Sequence, residues 1–380
     1  MRRRTSGIML LATASAALVA GAVPGVRPGG ARTVPAGAAQ AASEAQTQAV
    51  ATAASAFLDT LDAGQRARGR FEFPAPGPAT AAGFKGGLNG RMTFVGERFG
   101  QSVWSNFPVS DVPRPGLPLG SLGAAQHDAA LHLLQVLLSP AGYAKVLEVM
   151  GSDQALADGG TPFSSGAATY TLAILGTPGT VEPWMVQFGG HHLALNVVIA
   201  GARGVLAPAL TGAQPASYTA GGRAVRVLAR ENDKAFALLH ALDAGQRRQA
   251  ILTYRVPDLV LGPGHDGETI QPEGLKASAM TAAQRAMLLD LVGEWAGIVN
   301  DAYAAPRMAE IAAGLDDTYF AWSGPTGHEP GRNGTAYYRI QGPRLVIEFA
   351  PQEPGGDLTM HVHTVYRDPT DDYGRALTAR

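Results

Sequence analysis

The chain has 380 residues, of which 46% are hydrophobic and 16% charged, with a formal net charge of -1 and no cysteine. Near-neutral charge gives no electrostatic reason to seek nucleic acid, and the apolar content suffices for a large buried core. The absence of cysteine excludes disulfides, thiolate metal sites and cysteine nucleophiles together, so any metal must be held by nitrogen and oxygen ligands.

The N-terminus reads "MRRRTSGIMLLATASAALVAGA", with Arg2, Arg3 and Arg4 ahead of an apolar run from Ile8 to Ala20. That run is too short to span a bilayer and has the form of an export signal, with small residues allowing cleavage after Ala22 or Ala41. The arginines followed by Thr5 loosely resemble a twin-arginine signal. Residues 1–45 are therefore expected to be a signal peptide and flexible leader, and residues 46–380 one exported domain, periplasmic or extracellular, with no stable membrane insertion.

Helix starts come next. "LDAGQR" occurs at Leu61–Arg66 and again at Leu242–Arg247, with looser versions "LGAAQH" from Leu122 and "MTAAQR" from Met280. In three of these, Asp62, Asp243 or Thr281 stands at an N-cap with Gln65, Gln246 or Gln284 three residues later, which is capping-box spacing. Each phrase predicts a helix, and glutamine in it reads as structural. The apolar spacing of "QHDAALHLLQVLLS" and "QRAMLLDLVGEWAGIV" predicts amphipathic helices packed on a core.

Each pair of helix starts precedes a β-rich stretch: "ATYTLAILG" and "PWMVQFGGHHLALNVV", then "DTYFAWSG" and "AYYRIQGPRLVIEF". At a shift of 152 residues His192–Val197 falls on Arg344–Phe349, and at 149 Thr169 and Tyr170 echo Thr318 and Tyr319. The pattern predicts an α+β fold of two duplicated halves, 46–225 and 226–380, each a pair of amphipathic helices followed by an antiparallel sheet. No P-loop or dinucleotide fingerprint opposes that class.

The β segments hold the residues able to do chemistry. If "VQFGGHHLALN" is a strand, His191 shares a face with Leu193 and Leu195, and His192 with Ala194 and Asn196, unless Gly189-Gly190 bends the chain. Near the C-terminus, a hairpin with Glu348 opposite His361 would project Glu348, His361 and His363 from one side. Such a set, completed by His192 or, with the parity reversed, by His191, suits a divalent ion of Zn, Fe, Mn or Cu. Arg367 would grip an anionic substrate group and Asp368 would orient a histidine. Gln187 and Asn196 would orient a small-molecule substrate or ligand, while Trp184 and Trp322 would wall an apolar pocket. The competing interpretation is a packed β core in which the histidines are bonded to backbone or acids, the tryptophans are filler, and Arg367 pairs with Asp371 or Asp372.

The segments "PWMVQFGGHHLALN", "FAWSGP", "YYRIQGPRLVIEF" and "HVHTVYRDPTDDYG", in this order, resemble the bacterial family catalogued as domain of unknown function 3500. The resemblance runs from about Thr60 to the C-terminus. It implies an exported single-domain protein and assigns no reaction. Ala350 and Pro351 depart from the Asp-Asn-like pair of that family's pattern, so no ligand role carries over to them.

These features point to an exported metal-dependent hydrolase in which the ion lowers the pKa of a bound water. The alternatives are a non-catalytic periplasmic ligand-binding protein and an Fe or Cu oxidoreductase. No G-x-S-x-G elbow supports a serine hydrolase. The oligomeric state is left open.

Overall fold

The computed structural model describes residues 36–378 except positions 76 and 165, so most of the expected export signal and leader lies outside the described residues. The helices are α1 (Ala36–Asp59), α2 (Ala63–Gly69), α3 (Ala124–Leu137), α4 (Pro140–Asp158), α5 (Ala229–Ala241), α6 (Ala244–Ala250), α7 (Ala282–Ala296), α8 (Asp301–Ala313) and α9 (Arg375–Thr378). The strands are β1 (Arg70–Phe71), β2 (Thr80–Gly86), β3 (Met92–Phe99), β4 (Ser102–Trp104), β5 (Leu117–Pro118), β6 (Thr171–Leu175), β7 (Trp184–Gly190), β8 (Leu193–Ala200) and β9 (Arg203–Ala213). They continue as β10 (Ser217–Ala220), β11 (Arg223–Arg226), β12 (Leu275–Lys276), β13 (Tyr319–Ser323), β14 (Tyr337–Gly342), β15 (Leu345–Pro351) and β16 (Val362–Arg367). The class is α+β.

Local sequence explains the helix starts. Asp62 Oδ1 accepts from Gln65 N at 2.7 Å while Gln65 Oε1 accepts from Asp62 N at 3.0 Å, and the Asp243/Gln246 and Thr281/Gln284 boxes close in the same way. The glutamines do more than cap. Gln65 and Gln126 exchange two amide hydrogen bonds of 3.0 and 2.7 Å, and Gln246 and Gln284 exchange two of 3.0 and 2.8 Å, so each short helix is fastened to the start of a long one. One expectation fails here: residues 36–45 are not a flexible leader but the opening of α1, whose buried Ser43 donates to Ala302 O at 2.7 Å. Cleavage after Ala41 would cut into this helix.

Ten strands run in the order β1-β6-β7-β8-β9-β16-β15-β14-β13-β12, with β5 joined to β6. The neighbours from β6 to β12 along this path pair antiparallel, and β1 pairs parallel to β6. Strands β6 to β9 thus fill one side in chain order, β13 to β16 fill the other, and β9 meets β16 at the centre.

Alternation along the strands gives the sheet two different faces. Trp184, Val186, Phe188, Leu193, Leu195, Ile347 and Phe349 share one core cluster with Leu133, Leu134, Leu238, Leu288 and Leu291 of the helices. The other face is mixed. Ala173, Met185, Ala194, Leu210 and Val365 pack there with Phe99, Trp104 and Tyr373. Gln187, Asn196, Arg339, Glu348, His363 and Arg367 are also buried, and the strand registers place Glu348 in one face row with Arg339, Val365 and Leu210. The loop after Leu252 roofs that side: Val260 N and Leu261 N donate to Glu348, and Gly264 N donates to Glu97 of β3. Among the described residues no helix is long and apolar enough to cross a membrane.

Candidate metal centre

The adjacent histidines are not in a strand. Gly189 pairs with Ala194 and Gly190 with Leu193, so His191 and His192 are the two residues of the β7–β8 hairpin turn. His192 holds φ = 57°, the left-handed region that glycine or asparagine takes more readily. The strand-parity expectation for His191 and His192 is therefore overturned: a turn frees both rings from alternation. They stack with centroids 3.9 Å apart at 26°.

The turn delivers His192 to the end of β16. Its ring centroid lies 5.0 Å from that of His361 and 4.9 Å from that of His363, and one nitrogen from each of the three rings lies within 4.8 Å of the others. Gly212 of β9 lies between His363, its register partner, and His192, and a Cβ there would stand 3.2 Å from His192 Cβ and 2.6 Å from Val362 O. Only glycine leaves this approach open.

The rings are set as metal ligands usually are. His361 Nδ1 lies 2.8 Å from Pro354 O, which orients that ring, while His363 Nδ1 has no hydrogen-bond partner and lies 3.7 Å from Asp258 Oδ1; the two Nε2 atoms face each other at 3.1 Å. Two nitrogens each about 2.1 Å from one ion stand about 3.0 Å apart at a right angle and about 3.4 Å at the tetrahedral angle, so the spacing fits a shared ion. His192 is buried with no partner at either ring nitrogen. Burial and the neighbouring histidines pull its pKa well below the ordinary value; burial and His363 pull His361 down to about 3. Both rings are thus neutral, the form that ligates.

A model of the family described as "Protein of unknown function (DUF3500)" matches residues 92–375. The chain belongs to that family. No curated protein and no solved structure matches it.

Several residues of this DUF3500 chain that the sequence singled out lie elsewhere. Glu348 shares the sheet face of the histidines, but its register partner is Val365 and not His361, whose neighbour across the hairpin is Gln352. Its oxygens are taken by Val260 N, Leu261 N and the Tyr337 hydroxyl, at 2.9, 2.7 and 2.5 Å, so it pins the roof loop instead of joining the triad. Arg367 is buried between Glu97 and Asp372 and donates to Leu261 O and Gly262 O; Asp368 pairs with Arg307 and Arg344. Neither reaches a histidine. Gln187 and Asn196 bond to each other at 2.8 Å, with Ser102 beside them and Asn196 donating to Pro208 O. Trp184 and Trp322 are core residues whose indoles donate to Gly179 O and Pro325 O.

His191 is in contact with the triad without being one of its three ligands. Its Nδ1 lies 2.7 Å from Asp153 Oδ1, which also accepts from Ser164 Oγ at 2.7 Å, and Tyr170 donates to its carbonyl. Burial lowers its pKa against the opposing pull of Asp153. Sequence reasoning missed Asp153, Asp258 and Arg114, whose Nη2 donates to Gly190 O at the head of the turn. They come from distant segments and carry no motif.

Proposed function

We propose that this protein is an exported metal-dependent hydrolase that holds a divalent ion on His192, His361 and His363 and acts on a small-molecule substrate. One observation carries the reading: three buried imidazoles converge, with the Nε2 atoms of His361 and His363 3.1 Å apart, His361 tied back at Nδ1 by Pro354 O, and His192 beside them with no partner at either ring nitrogen. Three neutral ligands leave coordination positions for water, and an ion so held supplies a hydroxide-like nucleophile near neutral pH. The chain's own contribution is orientation. Pro354 O fixes the tautomer of His361, Asp258 lies 3.7 Å from His363 Nδ1, and Asp153 holds His191 against the face of His192. Metal analysis of protein purified without chelator tests this: the reading expects about one ion per chain, lost on His363→Ala, together with hydrolysis of an ester, amide or phosphoester panel. A metal-free preparation that gains nothing from added Zn would sink it. An all-imidazole donor set also suits Fe or Cu, so a redox-active ion in that analysis would favour the oxidoreductase reading.

We propose further that the chain arose by duplication. The support is the strand order, in which β6 to β9 and β13 to β16 run outward-to-centre from opposite edges. The second hairpin turn of the later half, Gly342-Pro343-Arg344-Leu345, corresponds to Gly190-His191-His192-Leu193 at the same shift of 152. An experimental structure whose halves do not superimpose strand on strand would remove this.

A further inference from the structure

Around the histidine turn lies a set of buried polar atoms without partners: both ring nitrogens of His192, His363 Nδ1, Asp153 Oδ2 and Arg114 Nε. Natively buried polar groups are almost always satisfied, so a cluster of exceptions at one turn needs a cause. Arg114 is the most unusual member. The residue is 9% exposed, and its Nη1 and Nη2 donate to the carbonyls of Ser105, Phe107, Val112 and Gly190, with no carboxylate among these partners. Burial pushes its pKa down to about 9, and the neighbouring Tyr170 and Asp153 offset only part of that. Its own charge bears on both His191 and His192.

Charge accounting at this place is one-sided. A divalent ion on three neutral imidazoles and the Arg114 cation bring three positive charges, against the single carboxylate of Asp153, itself engaged by His191 and Ser164. Asp258 has a side chain 57% exposed to water and so compensates weakly. Excess positive charge in a low-dielectric site is costly unless an anion joins it.

We infer that the site takes an anionic ligand, the carboxylate of a small organic acid, held between the triad's ion and the unpartnered Nε–H of Arg114. The inference rests on the metal reading above and names its substrate class. The anion-gripping role expected of Arg367 thereby falls to Arg114, since the donors of Arg367 are already taken by Glu97 and Asp372. All three ligating rings are buried, which restricts the ligand to a small one or to the tip of a larger one.

The test uses the full chain loaded with Co(II), whose visible absorption reports each change in coordination. Acetate is titrated against acetamide, which has the same shape and no charge. Acetate is expected to change the spectrum saturably and acetamide to leave it unchanged. Arg114→Met should keep Co(II) affinity and weaken acetate about tenfold, with Arg114→Lys recovering part of the loss. Equal responses to the two ligands, or wild-type acetate affinity in Arg114→Met, overturn the inference and leave Arg114 a loop staple. If Arg114→Met does not fold, the acetate–acetamide comparison on the unmodified chain decides alone. Co(II) uptake without an acetate response removes this inference and leaves the metal reading standing; no Co(II) uptake removes both.

Discussion

His361 and His363 point at each other, Nε2 to Nε2 at 3.1 Å, while Pro354 O takes the far side of one ring and Asp258 flanks the other. Two neutral imidazoles at this spacing share one proton in an N–H···N hydrogen bond, and a divalent ion held by both rings would take the place of that proton. On the proposed metal reading, metal and proton compete for one place. Burial disfavours the proton, holding His361 at about 3 and His192 well below its ordinary value. Between about pH 7.5 and 6, where an unperturbed histidine site near 6.5 would lose affinity to protonation, these two rings stay neutral. Zn affinity measured by chelator competition should fall across that range by less than two protonating histidines would require, about tenfold at most.

The left-handed turn residue separates function from stability. His192→Gly removes an unfavourable φ of 57°. It should stabilise the metal-free protein by about 1 kcal/mol while abolishing the stabilisation gained on adding Zn. Paired denaturation curves with and without the ion check both halves of the statement. A metal-free variant several kcal/mol less stable than wild type would make His192 a packing residue.

Glu348→Ala should act in the opposite sense. The buried carboxylate accepts three hydrogen bonds, two from the roof loop. Its loss leaves Val260 N and Leu261 N unsatisfied, at a cost of about 2 to 5 kcal/mol, yet Zn stoichiometry should stay at the wild-type value. Loss of the ion with unchanged stability would return Glu348 to the ligand set.

The same face carries two opposed responses to pH. His361 is depressed to about 3, so the unfolded chain binds its proton first and stability falls as pH drops from 6.5 toward 3, by up to about 1.4 kcal/mol per pH unit. Asp372 is pushed up to about 7 by burial, with Glu97 adding to the effect and Arg367 opposing it. Its folded state keeps the proton longer, so its contribution is full below 3.8 and is lost as pH rises through about 7. The two slopes partly cancel between about pH 4 and 6.5. Asp372→Asn removes the second, and its denaturation midpoints should depend more steeply on pH over that interval than those of wild type.

What could be read from the sequence was local. A capping box closes within four residues, so Asp62, Asp243 and Thr281 announced their helices, and the H-x-H that leads into β16 announced a shared face by parity alone. Register was not local: the loop of residues 352–361 joins β15 to β16, and its length slides Glu348 away from His361, which no residue on either strand signals. The turn at His191 and His192 was hidden because two-residue hairpins usually carry Asn-Gly or Asp-Gly, while "GGHHL" runs on from strand to strand without a break in burial. Asp153 and Arg114 reach the site only through the packing of α4 and of the segment before β5, and long-range packing leaves no periodic mark.

The seam between β9 and β16 divides the ligands unequally: His192 arrives with the earlier strands, His361 and His363 with the later ones. The largely exposed hairpin of β10 and β11, turning at Gly221-Gly222, is where the backbone could be severed with least damage. Two fragments cut there would each carry an incomplete coordination set, and recombining them would build it. If the proposed ion binds, it would act as a rivet whose uptake reports reassembly, and the chain would serve as a scaffold for a metal-gated split protein.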